Sequence, residues 1–422
     1  MNSGRQIRLG GATFLVVANM LGAGIFTTSG FLIADLPSRG LVLLAWLVGG
    51  VIALLGAASY GALARRLPES GGEYFFLSRT IHPAAGYVSG WISMLVGFSA
   101  PIAATAFALG EYTKSWFPGQ FDPKWIGTAA LVVFALMHAF SVRRAVWLQS
   151  AVVVLKIGLI LAFIVVAGMH FERDPSPLAG ETKMAAFAVS LLWISFAYSG
   201  WNAAVYIGGE VADPERILPR AMLLGTVTVI VLYLALNAVF LFAPPVEAIE
   251  GQMEVARITA GHLAGPWFAE FATGLIAVAL LTSISAMVMA GPRVYAKMAE
   301  DGYLPRWLSS ERPPATNAVL LQLALALLML WIPNFPDLVK YIGFTLGIGT
   351  ALSVVGLMRL KFREGERIAV PGWPWVQVLF LVSVGGVTAF ALVREPRASF
   401  FGLLTIALGV AAWWLHWRGR SR

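Results

Sequence analysis

The chain has 422 residues, of which 58% are hydrophobic and only 12% are charged, and its formal net charge is +8. Soluble domains carry about 25% charged residues, so this composition excludes an ordinary soluble enzyme or nucleic-acid-binding protein. The sequence contains no cysteine, which rules out a disulfide framework, a thiol nucleophile and a thiolate metal site. Its five histidines lack metal-ligand spacing, so we predict no metal and no cofactor.

Apolar runs of about 20 residues recur from end to end, and each is long enough to cross a bilayer. We predict twelve spans, at residues 10–34, 41–64, 84–111, 125–141, 148–170, 185–211, 219–243, 267–298, 316–332, 335–360, 372–393 and 399–417. The first run is interpreted as a span and not as a cleaved signal peptide, because no A-x-A site follows it. The sequence therefore predicts an all-α integral membrane protein whose single domain covers residues 1–422.

Basic residues predict the orientation of these spans. With the amino terminus inside, 20 lysines and arginines lie in inner segments and 8 in outer segments. Cytoplasmic loops carry an excess of lysine and arginine, so we predict a multi-pass protein of the plasma (inner) membrane with both termini cytoplasmic. The net charge of +8 is then a consequence of topology.

The first span contains the stretch "NMLGAGIFTTSG", which places Gly22 and Gly24 in the middle of a membrane helix. Glycine is a poor helix former. One explanation is a face of small residues for close helix packing. The other is a discontinuous helix, which frees backbone amides and carbonyls for a ligand and presents a half-helix amino terminus to an anion.

The sixth span, "LLWISFAYSGWNAAVYIGGEVADP", has a similar interruption at "YSGWN". A simple kink at Ser199 and Gly200 is the alternative explanation. Corresponding interruptions in the two halves of a membrane protein indicate a substrate site near the bilayer midplane of a transporter. The pair of interruptions therefore favours a transporter with broken first and sixth spans.

The fifth span carries Lys156, about eight residues from its predicted cytoplasmic end and so roughly 12 Å deep. An ammonium group in a span costs about 2.5–3.5 kcal/mol on insertion scales. The lysine either extends to the headgroups or has a buried partner. We predict that carbonyls exposed by the break in the first span are that partner.

Four stretches of the sequence resemble those of one transporter family. The stretches "GAGIF", "GGEY", "FAYSGWNAAVYIGGEVADPERILPRA" and "AKMAEDGYLP" resemble the amino acid–polyamine–organocation transporters, and the long span-six motif is most similar to the L-type amino acid transporter branch. The resemblance implies alternating access and a five-plus-five inverted repeat with discontinuous helices 1 and 6. The first repeat would cover about 10–170, the second about 185–360, and two extra helices about 372–417.

The same resemblance implies a substrate site between the two breaks. The substrate carboxylate would meet amides of Gly22 to Gly24, and its ammonium would meet carbonyls near Asn19, Met20 and Phe196. Phe196 would also act as a gate, and Lys156 would take the place of a sodium ion or couple protons. The residues expected at the substrate are Asn19, Met20, Leu21, Gly22, Ala23, Gly24, Ile25, Phe196, Ala197, Tyr198, Ser199 and Gly200. In some relatives glycine is usual at the position of Ala23 or Ser199, and serine is common at the former. A methyl or hydroxyl group there could narrow the pocket, which puts the size of the substrate in doubt.

We therefore predict sodium-independent exchange of neutral, small or aliphatic L-amino acids. No acidic residue lies deep in a span to hold a cationic side chain. A proton-coupled symporter and a non-transporting amino acid sensor are the alternatives. No enzyme is predicted, because no nucleophile–base pair or metal cluster is found. Some animal relatives have a heavy-chain partner, but this chain has no cysteine for attachment, so no obligatory partner subunit is expected.

Overall fold

The computed structural model describes residues 7–36, 38–117, 119, 121–140, 145–172, 174, 184–309, 315–332 and 334–420. Within these residues the chain is helical apart from loops and one isolated parallel bridge between Ile7 and Val211. The charges used for orientation that lie outside the described residues are Arg5, Arg143, Arg144, Arg173, Lys183, Arg312 and Arg422.

Seventeen α-helices are described. They are α1 Leu9–Met20, α2 Ala23–Asp35, α3 Arg39–Arg66, α4 Gly72–Thr80, α5 Pro83–Ile92, α6 Ala100–Thr113, α7 Lys124–Phe140, α8 Ala145–Met169 and α9 Met184–Tyr198. They continue with α10 Pro214–Phe242, α11 Val246–Ile249, α12 Val255–Ala264, α13 Pro266–Glu300, α14 Thr316–Trp331, α15 Phe335–Glu364, α16 Trp375–Arg394 and α17 Pro396–Arg420. A π-helix, Ser93–Ser99, joins α5 to α6.

Several helix starts follow from local sequence. Proline is the first residue of α5, α10, α13 and α17, where its fixed φ suits the helix and its missing N–H has no helical acceptor to lose. Ser38 and Asn334 cap α3 and α15, since their side chains accept hydrogen bonds from the amides of Leu41 and Asp337. The long apolar helices therefore have defined ends.

Every predicted span falls on one or more of these helices. Eight described segments are long and apolar enough to cross a membrane, and three shorter apolar helices, Lys124–Ala139, Val153–Met169 and Thr316–Trp331, accompany them. The predicted sixth span is split, because α9 ends at Tyr198 and a 3₁₀ helix, Ala203–Glu210, follows a turn. The structure is that of a multi-pass helical membrane protein.

Helix packing brings the ends of α1 and α9 to the centre of the molecule. α1 packs against α10, α13 and α8, while α9 packs among α2, α3, α15 and α16. One continuous apolar core connects these helices. The segments that follow α1 and α9 are consequently held against each other inside the protein.

Candidate functional site

The first span is discontinuous, as predicted. α1 ends at Met20 and α2 begins at Ala23, with Leu21 at φ −71° and ψ 70° and Gly22 extended at φ −111° and ψ −154°. The amides of the first turn of a helix have no acceptor within the helix. The break therefore places the positive end of α2 inside the protein, beside the carbonyls that end α1.

The break in the sixth span touches the break in the first. After α9, the amide and hydroxyl of Ser199 bond to the carbonyl of Phe196 at 3.0 and 2.7 Å. Gly200 has φ +102°, in the left-handed region that favours glycine. A Cβ on Gly200 would lie only 2.9 Å from the carbonyl carbon of Asn19. Glycine is thus required here both for its backbone conformation and for the close approach.

A second contact joins the broken spans, at Gly24. A Cβ on Gly24 would lie 2.4 Å from the Cα of Ala197, so α2 and α9 meet backbone to backbone. Tyr233 of α10 lies beside this contact, with its hydroxyl 2.5 Å from the carbonyl oxygen of Met20 and 2.9 Å from that of Ala197. Sequence reasoning missed Tyr233, because a tyrosine in an apolar helix gives no sign of the carbonyls it meets.

Lys156 is buried at the first break. Its side chain is 1% exposed, and its ammonium donates to the carbonyl of Leu21 and, at 2.8 Å, to the hydroxyl of Ser283. The Ser283 hydroxyl lies 2.7 Å from the same Leu21 carbonyl. The predicted partner is therefore confirmed, and the alternative of a lysine extending to the headgroups is wrong.

A cavity of about 120 Å³ adjoins the two breaks. Four of the residues expected at the substrate line it: Asn19, Tyr198, Ser199 and Gly200. The other eight, Met20 to Ile25 with Phe196 and Ala197, are not among its lining residues. Most of these eight are buried, and the contact between α2 and α9 at Gly24 and Ala197 lies among them. The structure thus gathers all twelve around the breaks but places only part of the set on the cavity in this conformation.

Glu73 is a cavity residue that sequence reasoning did not select. It lies in α4, outside the predicted spans, and is 5% exposed. Its carboxylate accepts hydrogen bonds from Tyr60 at 3.1 Å and from Asn202 and Tyr206. Burial raises the pKa of Glu73, while the hydrogen bonds oppose this. A lone carboxylate in the apolar stretch "GEYFFL" was the available signal.

Among the described residues, no group of three or more histidine, aspartate or glutamate side chains is placed to hold a metal ion. The residues that line the cavity instead carry hydroxyls, side-chain amides, the indole of Trp201 and the single carboxylate of Glu73. Such a set suits a small organic molecule with both a negative and a positive end.

The family model described as amino acid permease matches residues 7–412. The chain belongs to the amino acid permease family. It is a member of the amino acid–polyamine–organocation superfamily, in its L-type branch. The predicted resemblance is thereby confirmed.

Individual relatives of this permease are transporters. It is 26% identical to the human "Large neutral amino acids transporter small subunit 2", over 99% of this chain and 82% of the relative. It is 24% identical to the mouse "Asc-type amino acid transporter 1", with the same coverage. It is 28% identical to the "Serine/threonine exchanger SteT" of Bacillus subtilis (strain 168), over 96% of this chain and 95% of the relative. The permease is accordingly a membrane amino acid transporter.

Proposed function

We propose that this permease exchanges small or aliphatic neutral L-amino acids across the plasma membrane without sodium, by alternating access. The observation that carries the proposal is the contact of the Lys156 ammonium with the Leu21 carbonyl and the Ser283 hydroxyl. Carbonyls freed by a broken membrane helix commonly coordinate a coupling cation. Here a cation that belongs to the protein already occupies that position.

The proposed substrate site follows the two breaks. The substrate carboxylate binds the amides of Gly22 to Gly24 at the start of α2, where the helix dipole favours an anion. The ammonium binds carbonyls near Asn19, Met20 and Phe196, and Phe196 gates the site. In this conformation the Met20 carbonyl already lies 2.7 Å from the amide of Gly22 and 2.5 Å from the hydroxyl of Tyr233. Before these groups can bind substrate, the Gly22 amide and the Met20 carbonyl must therefore separate, and Tyr233 must release the same carbonyl.

The architecture we propose is the five-plus-five inverted repeat, with repeats at about 10–170 and 185–360 and both termini cytoplasmic. The helices outside the repeats, at about 372–417, are α16 and α17 in the structure. Four residues of α16 line the cavity: Phe380, Val384, Val387 and Thr388. We therefore assign α16 a place beside the substrate path.

Two relatives support the neutral substrate and the exchange mode. One is named for large neutral amino acids and another as a serine/threonine exchanger. The name of the first also marks it as a small subunit. The present chain has no cysteine for a disulfide link, and we propose that it acts without an obligatory partner.

The test is uptake of labelled alanine, leucine and methionine into liposomes that contain the purified protein. We expect uptake to require unlabelled amino acid inside the liposome and to be unchanged when sodium is replaced by choline. Protein-free liposomes are the control. Uptake that needs no internal substrate and follows an imposed proton gradient would replace the exchanger with a symporter, and specific binding without any flux would favour the sensor.

A further inference from the structure

The buried carboxylate of Glu73 joins three separate segments of the chain. Its donors are Tyr60 on α3, and Asn202 and Tyr206 on the segment that continues the sixth span beyond its break. Glu73 itself is the second residue of α4. The sequence distances to these donors are 13, 129 and 133 residues. A single side chain thus ties α4 to α3 and to the 3₁₀ half of the sixth span.

Neighbouring contacts hold the same two surfaces together. The amide of Gly209 bonds to the hydroxyl of Ser70, just before α4, at 2.9 Å. Glu210, the last residue of the 3₁₀ helix, forms an ion pair with Arg293 of α13 at 2.9 Å. The half of the sixth span that follows the break is therefore fixed on one side by α4 and on the other by α13.

The position of this cluster relative to the cavity gives it a role. Glu73, Asn202 and Tyr206 all line the cavity. They lie near the end of α3 that carries Arg65 and Arg66, which is the predicted cytoplasmic side. At that side of the cavity, the hydrogen bonds of Glu73 join α4 to the 3₁₀ helix.

The hydrogen bonds of Glu73 depend on the contact of α4 with α3 and the 3₁₀ helix. The bonding partners of Glu73 are two hydroxyls and one amide group, all of which donate. Hydrogen bonds to an ionised acceptor are roughly twice as strong as neutral ones. A buried carboxylate that loses its donors carries the full desolvation penalty until water replaces them. The carboxylate is therefore stable in two situations, fully bonded when the segments meet or hydrated when they part.

We propose that Glu73 is a positioning residue that closes the cytoplasmic side of the cavity by bonding Tyr60, Asn202 and Tyr206, and that releases these donors when the cavity opens to the cytoplasm. The inference rests on alternating access, which is part of the proposed function. It does not depend on the substrate, on the exchange mode or on the backbone binding site at the breaks.

The absence of cysteine from the chain makes a direct test possible. Ala53 of α3 lines the cavity and is 3% exposed, and it lies seven residues before Tyr60, about 10 Å along the helix. A single cysteine placed there by Ala53→Cys reports whether the cavity is open. We would measure its alkylation by a membrane-impermeant maleimide, applied separately to each face of vesicles without any amino acid present.

We expect Glu73→Ala in this background to speed alkylation from the cytoplasmic face by about tenfold or more, since several hydrogen bonds to a charged group are lost. Alkylation from the opposite face should stay equal or become slower. The matched control is Glu69→Ala, which removes an exposed carboxylate of the same loop. Equal rates in the Glu73 and Glu69 variants, or equal acceleration from both faces, would overturn the proposal.

A conservative variant keeps the proposal testable if Glu73→Ala does not fold. Tyr206→Phe removes one donor and retains the ring that contacts Phe98. Its expected effect is a smaller acceleration, from the cytoplasmic face only. Because alkylation is measured without substrate, a protein that fails the exchange assay can still show this one-sided change, so the two hypotheses fail independently.

Discussion

At Gly24 the two broken spans approach so closely that the backbone of Ala197 occupies the space of a side chain. Gly22, two residues earlier, is different, because a Cβ there would meet nothing nearer than 3.9 Å. The two glycines that draw attention in the sequence therefore have different roles. One permits helix contact and the other lies in the open turn between helices.

This difference predicts unequal stability. Gly24→Ala forces α2 away from α9, and such overpacking costs about 1–3 kcal/mol. Gly22→Ala should leave the apparent melting temperature of the detergent-solubilised protein close to that of the wild type. Thermal unfolding of the two variants, compared with the wild type, checks this. A lower melting temperature for Gly22→Ala than for Gly24→Ala would contradict the assigned roles.

Lys156 gives the second prediction at this scale. Lys156→Met shortens the unbranched side chain by only one atom but leaves the Leu21 carbonyl and the Ser283 hydroxyl without their ammonium partner. A hydrogen bond to a charged group is worth about 1.5–3 kcal/mol, so exchange should fall by about ten- to a hundredfold. The measurement is amino acid exchange in liposomes at matched protein density. Wild-type exchange by this variant would remove Lys156 from the mechanism.

Individual residues were predictable from sequence to unequal degrees. Lys156 was found because a charge in an apolar span needs a partner, and the nearby break supplied one. Tyr233 and Glu73 were not found. Their importance depends on which helices meet in three dimensions, and neither the single tyrosine of α10 nor the glutamate of "GEYFFL" indicates which residues it contacts.

Among the elements, α3 illustrates how the ends of one helix are held by two different kinds of ion pair. Arg39 at its start pairs with Asp174, and both side chains are nearly buried. Arg66 at its end pairs with Glu364 at 2.8 Å, and the Arg66 side chain is 51% exposed. Hydrogen bonds to charged groups in buried surroundings contribute more than exposed ion pairs, which are screened by solvent.

We therefore predict that Asp174→Ala destabilises the protein by about 1.5–3 kcal/mol, since Arg39 loses a hydrogen bond to a charged group but keeps its bond to the backbone carbonyl of residue 174. The matched variant Glu364→Ala should cost about 1 kcal/mol or less, because that pair is screened by solvent. Apparent melting temperatures in one detergent at one ionic strength compare the two. Equal losses would show that burial does not control the strength of these pairs.

The helix breaks were the most predictable elements, because glycine and polar residues in mid-membrane leave few alternatives. The boundaries of the helices were less predictable. Residues 65–83, between the predicted second and third spans, contain a buried helix, α4, and the residues after the sixth break form a 3₁₀ helix. Both depend on contacts between segments more than 100 residues apart, such as the bond between Gly209 and Ser70.

At the scale of the whole molecule, basic residues predict which face is cytoplasmic. We expect a cysteine introduced by Glu247→Cys, just after α10, to react with an impermeant maleimide on intact cells. One introduced by Glu366→Cys, just after α15, should react only after permeabilisation; both positions are exposed. The chain supplies no competing thiol. The reverse pattern would invert the topology and move the Glu73 cluster to the extracellular face.

The buried contact at Leu21 also has a consequence for the order in which the chain is made. Lys156 follows Leu21 by 135 residues, and Ser283 comes 127 residues after Lys156. At 5–20 residues per second, the ribosome needs about 7 to 27 s to deliver the lysine. A bare carbonyl in hydrocarbon costs several kcal/mol. In the nascent chain, the break in the first span therefore stays beside water or the insertion machinery. The first span becomes stable in the bilayer only after the fifth span has been synthesised.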